Sequence, residues 1–582
     1  MKHIYIISAL CYAMLLPGAI SAQNLNPTVS VTRAYEGKLP EVHKPSQNMF
    51  VPDSLHKFDL DFDYSVFENP YKGAYDFKPY TMEMRPQAEV YSGKKFYLKA
   101  GAGYNLRPSV DAVWEPLSGN KFRLGVYASH HSYIGNYKLI GVNDKGNLSS
   151  SSGKVGGYDM YSTIGADGHA YMNNAAMTFD VGYIGIHTKD PVESSPVSAD
   201  PAIGYNAARL SFRINSENSA ESYLYYDVAM KYRFGVQGFG KMPAASGGDN
   251  AYMSSLNMND IDFNVTLGPV FKRYNKVVAD FGMGMTWYNG LFISSVGNAY
   301  IAPKYVYAKN RWNLSLGLKI GFRMNSGEDF QGNDLNTNKG ILLYPDVYVG
   351  FTPIKDYMNL YFTAKGGEWR NPYYDLKESN HFFTPFVLGQ MSNNSVEQYN
   401  LALGFNGNIA SRFRYDVKIG YRSFEAMPMG SISAKSDMQG NVYIPNLAFV
   451  DGTAVYSDII LQWKSRNFAL DSWFSINASD MNDSEFIFFE PARYSGGIDA
   501  EYNWEKRIYF GVSVEFASHR KDYHSVYGIP AWTDLGCHAE YVFSRKLSFW
   551  VRGENLLNMN IQKAPLYTTG GIGFTTGICL NL

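Results

Sequence analysis

The chain is 582 residues long, and its 52 Lys and Arg against 53 Asp and Glu leave a formal net charge of −1, which gives no basic surplus for nucleic acid. Aromatic residues make up 16% of it, with 46 Tyr and 36 Phe beside 54 Gly and only 18% charged residues, a composition weighted toward strand formers. Beyond an N-terminal apolar run no uninterrupted apolar stretch of about 18 residues remains, so a helical membrane protein is excluded on length and any insertion is by strands.

The first residues read as a secretory signal. Lys2 and His3 precede an apolar run over 4–20, and Ile20, Ser21 and Ala22 offer small residues for cleavage before Gln23. Cys11 lies within the run after Leu10, the wrong context for a lipoprotein anchor. Residues 1–22 are therefore expected to be removed.

Residues 23–93 are rich in Pro, among them Pro40, Pro45, Pro52, Pro70, Pro79 and Pro86, and are expected to be a short extended segment, not a compact domain. Within it Phe58 to Tyr64 alternates ring or aliphatic with carboxylate, which puts Asp59, Asp61 and Asp63 on one face of a strand. A calcium loop fails here: its Gly position holds Tyr64 and its Glu position holds Pro70.

From 94 to 582 the chain reads as strands that alternate apolar and polar residues, separated by connections that are short and long in turn. Trp312, Leu314, Leu316, Leu318, Ile320 and Phe322 share one face, opposite Lys319 and Arg323. Phe413, Tyr415, Val417, Ile419 and Tyr421 oppose Arg414, Lys418 and Arg422, and the split recurs at Ile508, Phe510, Val512, Val514 and Phe516. Short polar turns are expected at 117–120, 172–174, 216–219, 273–276, 308–311, 353–356, 408–411, 464–467, 504–507 and 544–546. Longer loops are expected near 134–155, 188–202, 236–256, 326–338, 371–394, 425–452, 478–491, 519–531 and 557–569, with further connections near 105–108 and 288–298. Together these connections imply about 22 strands with both termini at the short-turn end.

The last strand settles the solvent. Phe574, Thr576, Ile578, Leu580 and Leu582 face one way, while Gly573, Thr575, Gly577, Cys579 and Asn581 face the other. An apolar face for lipid and a small polar face for water require closure into a barrel, because hydrocarbon satisfies no open backbone edge. The expectation is an all-β, transmembrane antiparallel barrel in the outer membrane of a Gram-negative bacterium, with outer-membrane lipid as its first partner.

Tight turns at one rim, long loops at the other, the run Glu554, Asn555, Leu556, Leu557, Asn558 and the alternating terminal strand together resemble the barrel of TonB-dependent receptors. The resemblance covers 94–582. That family fills its barrel with a folded plug, for which only 23–93 is available here, and the family's usual terminal aromatic is replaced by Leu582. Pro27 followed by Thr28, Val29, Ser30, Val31 and Thr32 looks like the short extended box that pairs with TonB. The acidic 23–93 segment, through Asp59, Asp61 and Asp63, is expected to thread as a partial stopper into a lumen whose basic wall includes Lys319, Arg323, Arg414, Lys418 and Arg422. The alternative is ion pairs along the wall with a free tail below.

No catalytic constellation is recognisable. His130 and His131 are adjacent and so point to opposite faces of a strand, and His519 and His524 flank Asp522 in a loop without further ligands. No cofactor motif or metal site is expected, and Cys537 and Cys579 read as small apolar residues. The leading function is solute uptake or porin-like passage across the outer membrane. The other reading is a structural or assembly subunit that holds a surface lipoprotein or other outer-membrane proteins.

Overall fold

The computed structural model describes residues 95–582, apart from 190–201, 239–254, 328–340, 384–393 and stretches of one to six residues in other turns. The signal segment, the 23–93 segment and with them Thr28, Val29, Ser30, Val31, Thr32, Asp59, Asp61 and Asp63 lie outside the described residues.

One antiparallel sheet holds 24 strands, two of which, Ser326–Gly327 and Ile487–Phe488, are two-residue additions. The other 22 pair in chain order and close into a barrel. Closure joins the first strand, Phe96–Gly103, to the last, Gly573–Asn581, from Tyr97 opposite Asn581 to Gly103 opposite Thr575. Trp550, 4% exposed, lies over this seam: a Cβ on Gly101 would stand 2.4 Å from its ring, and one on Gly577 would stand 2.0 Å from the Ala100 carbonyl oxygen. Glycines on both sides of the seam let the two backbones and the indole meet. Both ends of the barrel sit at the short-turn rim, where the Lys95 N–H donates to Leu582 O and the Asn581 N–H to Lys546 O.

The wall is amphipathic because lipid and water lie on its two sides. Trp312, Leu316, Leu318 and Phe322 are exposed on the outside, as are Phe510, Phe549, Phe574 and Ile578. Strands end and restart about all ten positions where the sequence places short turns, with 217–222 and one or two residues of several others outside the described residues. Between Tyr494–Trp504 and Ile508–Ala517 the reversal is made by Glu505 and Lys506, both at positive φ (50° and 58°), with the Arg507 N–H donating to Trp504 O. That backbone twist matches the twist of the flanking strands.

Two long loops expected from sequence are instead strand. Phe122–Val142 pairs with Leu148–Tyr171 almost to its tip, and Phe413–Asp437 pairs with Gly440–Lys464 throughout. The Gly, Ser and Asn there mark where the strands leave lipid, not where pairing stops: above the membrane a hairpin needs no apolar face. The second hairpin is bent by a bulge between Phe424 and Met427, where Ala426 takes φ 52°. Ala426 N–H donates to Asp451 Oδ1 (2.7 Å), and its carbonyl accepts from Ser395 Oγ (2.6 Å). The hairpin beyond the bulge packs through Ile432 with Leu148, Phe489, Ile529 and Leu566 from four other connections.

Candidate functional site in the barrel mouth

The connection after Met358–Trp369 supplies the chain's one helix among the described residues, Tyr373–Ser379. Pro372 sets an extended φ and ψ ahead of it, Asp375 lies in its first turn and Lys377 in its last, charges suited to the helix dipole. Lys377 is fully buried and donates to the carbonyls of His381 and Phe383 (3.1 Å to the latter), so its ammonium closes the turn that follows the helix.

This loop is folded into the mouth. Tyr373, Tyr374, Leu376 and Phe383 bury themselves against the inward side chains Tyr161, Ile184, Ile186, Tyr205, Leu256, Met258 and Tyr288. Leu447, from the bent hairpin on another part of the wall, joins the same cluster. Phe382 stacks on Tyr567 (5.2 Å between centroids) and meets Tyr137 edge-on (5.8 Å), linking the loop to two further connections. Side chains from four connections thus converge on one cover.

Charge latches the cover to the wall. Arg370, whose side chain is 5% exposed, donates to Asp260 Oδ1 (2.6 Å), to Thr286 Oγ1 (2.7 Å) and to Asp262. Arg233 reaches the other oxygen of Asp260 (2.5 Å) and also pairs with Asp375 of the helix. Asp260 is 1% exposed, so a single carboxylate holds two guanidiniums out of water. Such a cluster is stable only while both signs remain, because a charge buried without its partner costs several kcal/mol.

Neutral contacts complete the latch. The Tyr373 hydroxyl lies within hydrogen-bond reach of Gln237 Oε1 (3.1 Å) and Phe383 O (3.0 Å), its single proton shared between them, while its N–H donates to the Tyr288 hydroxyl (2.9 Å). At the far end His381 Nδ1 lies 2.7 Å from Asp159 Oδ1 and its ring stacks on Tyr161. Glu378 lies between Tyr374 and Tyr161 hydroxyls (3.2 and 3.4 Å); burial foremost, then the charge of Asp375, pushes its carboxyl up to about 7.

The wall below carries the residues singled out from sequence. Arg323 Nε donates to Glu368 Oε1 (2.6 Å), Lys418 Nζ pairs with Asp458 (2.6 Å) and Arg414 donates to Gln462 Oε1 (3.3 Å). Arg422 lies over Tyr456 and Phe424 (5.7 and 5.6 Å to the ring centroids), and Lys319 Nζ stands 4.6 Å over Tyr300. Lys319 and Arg323 lie on Trp312–Arg323 and Arg414, Lys418 and Arg422 on Phe413–Asp437, with three wall strands between them, and Glu368 and Asp458 stand among these cations. Neither His130 and His131 nor His519 and His524 form a shared site. His130 bonds Ser162 (2.8 Å), His131 bonds Asp111 (3.0 Å) and His519 contacts Asn147 (3.3 Å).

The sequence reading passes over Arg370, Asp375, Lys377 and His381 because it treats 371–394 as an exterior loop. A signal was present: Tyr373, Tyr374, Leu376, Phe382 and Phe383 make that stretch too apolar to stand in water, and Pro372 marks a helix start.

No family model matches the chain, and no curated protein matches it in sequence. Solved structures do match. The FrpB iron transporter of Neisseria meningitidis, in its apoprotein form, superposes with a TM-score of 0.62 at 8% identity, over 84% of this chain and 81% of that one. A variant of the ferric enterobactin receptor PfeA of Pseudomonas aeruginosa gives 0.59 at 10% identity over 84% and 82%, and the copper transporter OprC gives 0.57 at 10% over 84% and 80%. The fold is that of the TonB-dependent receptor barrel, closed and of 22 strands. At these identities the likeness is one of architecture.

Proposed function

We propose that this chain is a transport barrel of the outer membrane of a Gram-negative bacterium, taking up a metal ion or a metal chelate through an opening that its own loops keep covered. The observation that carries the reading is the cover itself. A barrel of this width has room for a solute path, and the loop from 370 to 383 is fixed across its mouth by an apolar cluster together with the polar latch at Asp260. A polar latch can exchange its partners for a charged solute, whereas an apolar seal cannot.

In this reading the long connections face the exterior and both termini face the periplasm. Thr28, Val29, Ser30, Val31 and Thr32 then lie on the side where TonB acts, and Asp59, Asp61 and Asp63 lie below a wall carrying Lys319, Arg323, Arg414, Lys418 and Arg422. The solute class is taken from what the structural neighbours are named for: iron, copper and ferric enterobactin.

The test is uptake of radiolabelled ferric and cupric chelates by cells with and without the chain, each with and without TonB. Uptake that needs both the chain and TonB supports the reading. Uptake indifferent to the chain, together with stable copurification of a surface lipoprotein or assembly complex in mild detergent, would assign it to scaffolding instead.

A further inference from the structure

Two opposite charges on the inward face of the wall are buried without an ion pair. Arg422, 6% exposed, rests on the rings of Tyr456 and Phe424, and its Nε has no partner among the described residues. Glu397, 1% exposed, accepts from Asn400 Nδ2 at Oε1 (3.0 Å), while its Oε2 has no partner among the described residues. The two belong to paired strands, Ser395–Ile409 and Phe413–Asp437. Arg422 stands opposite Asn400, and Glu397 stands across a bulge, opposite Phe424. Diagonal neighbours of this kind are about 7–8 Å apart, a gap that one small group can bridge.

The side chains around the gap hold both charges in place. The Tyr456 hydroxyl donates to Asn400 Oδ1 (2.6 Å), and the amide of Asn400 in turn holds Glu397. The Tyr456 ring lies flat over Gly420, where a Cβ would stand 2.4 Å from it, and the same ring carries the Arg422 guanidinium. Asn477, 3% exposed and opposite Tyr456, leaves both side-chain polar atoms without a partner among the described residues. Toward the hairpin tip the surroundings turn apolar: Phe424, Met427, Val450 and Met481 pack together with Trp369 and Tyr523. The bulge at Ala426 bends the hairpin there, so this cluster roofs the charged pair.

We propose that this gap binds the α-amino acid group of a zwitterionic solute, with its carboxylate on Arg422 and its ammonium on Glu397. Opposite charges withdrawn from water and left apart are costly, and a group that joins them recovers that cost. An ion of one sign would leave the other charge unmet, and a neutral solute would meet neither. In an α-amino acid both charges sit on one carbon, which suits two diagonal neighbours, and an apolar side chain suits the roof of Phe424 and Met427. The site goes beyond the uptake reading above and is independent of whether metal chelates are carried.

The experiment is equilibrium dialysis of the full chain, purified in mild detergent, against radiolabelled L-leucine, isocaproate, which lacks the ammonium, and isoamylamine, which lacks the carboxylate. Leucine is expected to bind saturably and each analogue at least about tenfold more weakly. Glu397→Gln should bring isocaproate level with leucine, and Arg422→Gln should do the same for isoamylamine, with barrel folding checked by heat-modifiable electrophoretic mobility. A residue that only props the wall would lower all three ligands together. No saturable leucine binding, the result for a gap that holds water alone, would overturn the proposal, as would analogues that match leucine on the wild-type chain or an equal loss of all three in both folded variants. The wild-type comparison decides by itself if a variant does not fold.

Discussion

Asp260→Asn is the sharpest perturbation of the mouth. The carboxylate is 1% exposed and serves Arg370 and Arg233 at once, so the amide leaves two guanidiniums facing a neutral group. Removing one member of a fully buried ion cluster costs roughly 3–5 kcal/mol. Here Arg370 keeps Asp262, 32% exposed, and Arg233 keeps Asp375, 51% exposed, and such solvated partners return only part of that. A loss of about 2–3 kcal/mol in docking of the loop is expected, equivalent to a fall of roughly 30- to 150-fold in its closed-to-open ratio. Hydrogen exchange read by mass spectrometry measures this ratio locally. Peptides covering the helix Tyr373–Ser379 should lose protection by that factor while Met358–Trp369, a wall strand leading into it, keeps its own. Unchanged protection of the helix, or equal loss in the wall strand, would refute the latch.

Further outcomes follow from the same geometry. Because burial raises the Glu378 carboxyl to about 7, the docked loop binds this proton more tightly than the undocked one. Docking is then strongest below the ordinary carboxylate range, weakens as pH climbs from about 4.5 to 7, and levels off above it, by up to about 3 kcal/mol. Exchange of the loop amides at pH 5 and pH 8 should differ in that sense, and Glu378→Gln should flatten the difference. Gly101→Val places side-chain atoms where Trp550 and the last strand meet, so the seam should fail to close and heat-modifiable mobility should be lost; a normally folded barrel would contradict the seam packing. Replacing Asp59, Asp61 and Asp63 together with Asn should raise single-channel conductance if these acids sit against the lumen wall, and unchanged conductance removes them from it.

The wall was readable from sequence because two solvents impose strict alternation: Leu316 and Leu318 must face lipid, so Lys319 and Arg323 face in. Turn positions followed, since Glu505 and Lys506 interrupt an alternation that is otherwise continuous. Above the membrane that constraint disappears, which is why Phe413–Asp437 looks like loop beyond Phe424 although its backbone stays paired. The latch was hidden for a different reason. Arg370 and Asp260 are far apart in the chain, and only a loop folded inward brings them together; the polar face of a barrel strand gives no sign of which charge a loop will reach. Asp260 is not among the residues that the sequence reading singles out.

Planar-bilayer conductance tests the central claim most directly, by comparing the intact chain with one lacking both 23–93 and 371–393. The account predicts insertion of both, a closed or barely conducting intact chain, and large steady conductance steps from the shortened one. A wide, steady pore from the intact chain, or the same conductance from both, would contradict a barrel held shut by its own segments.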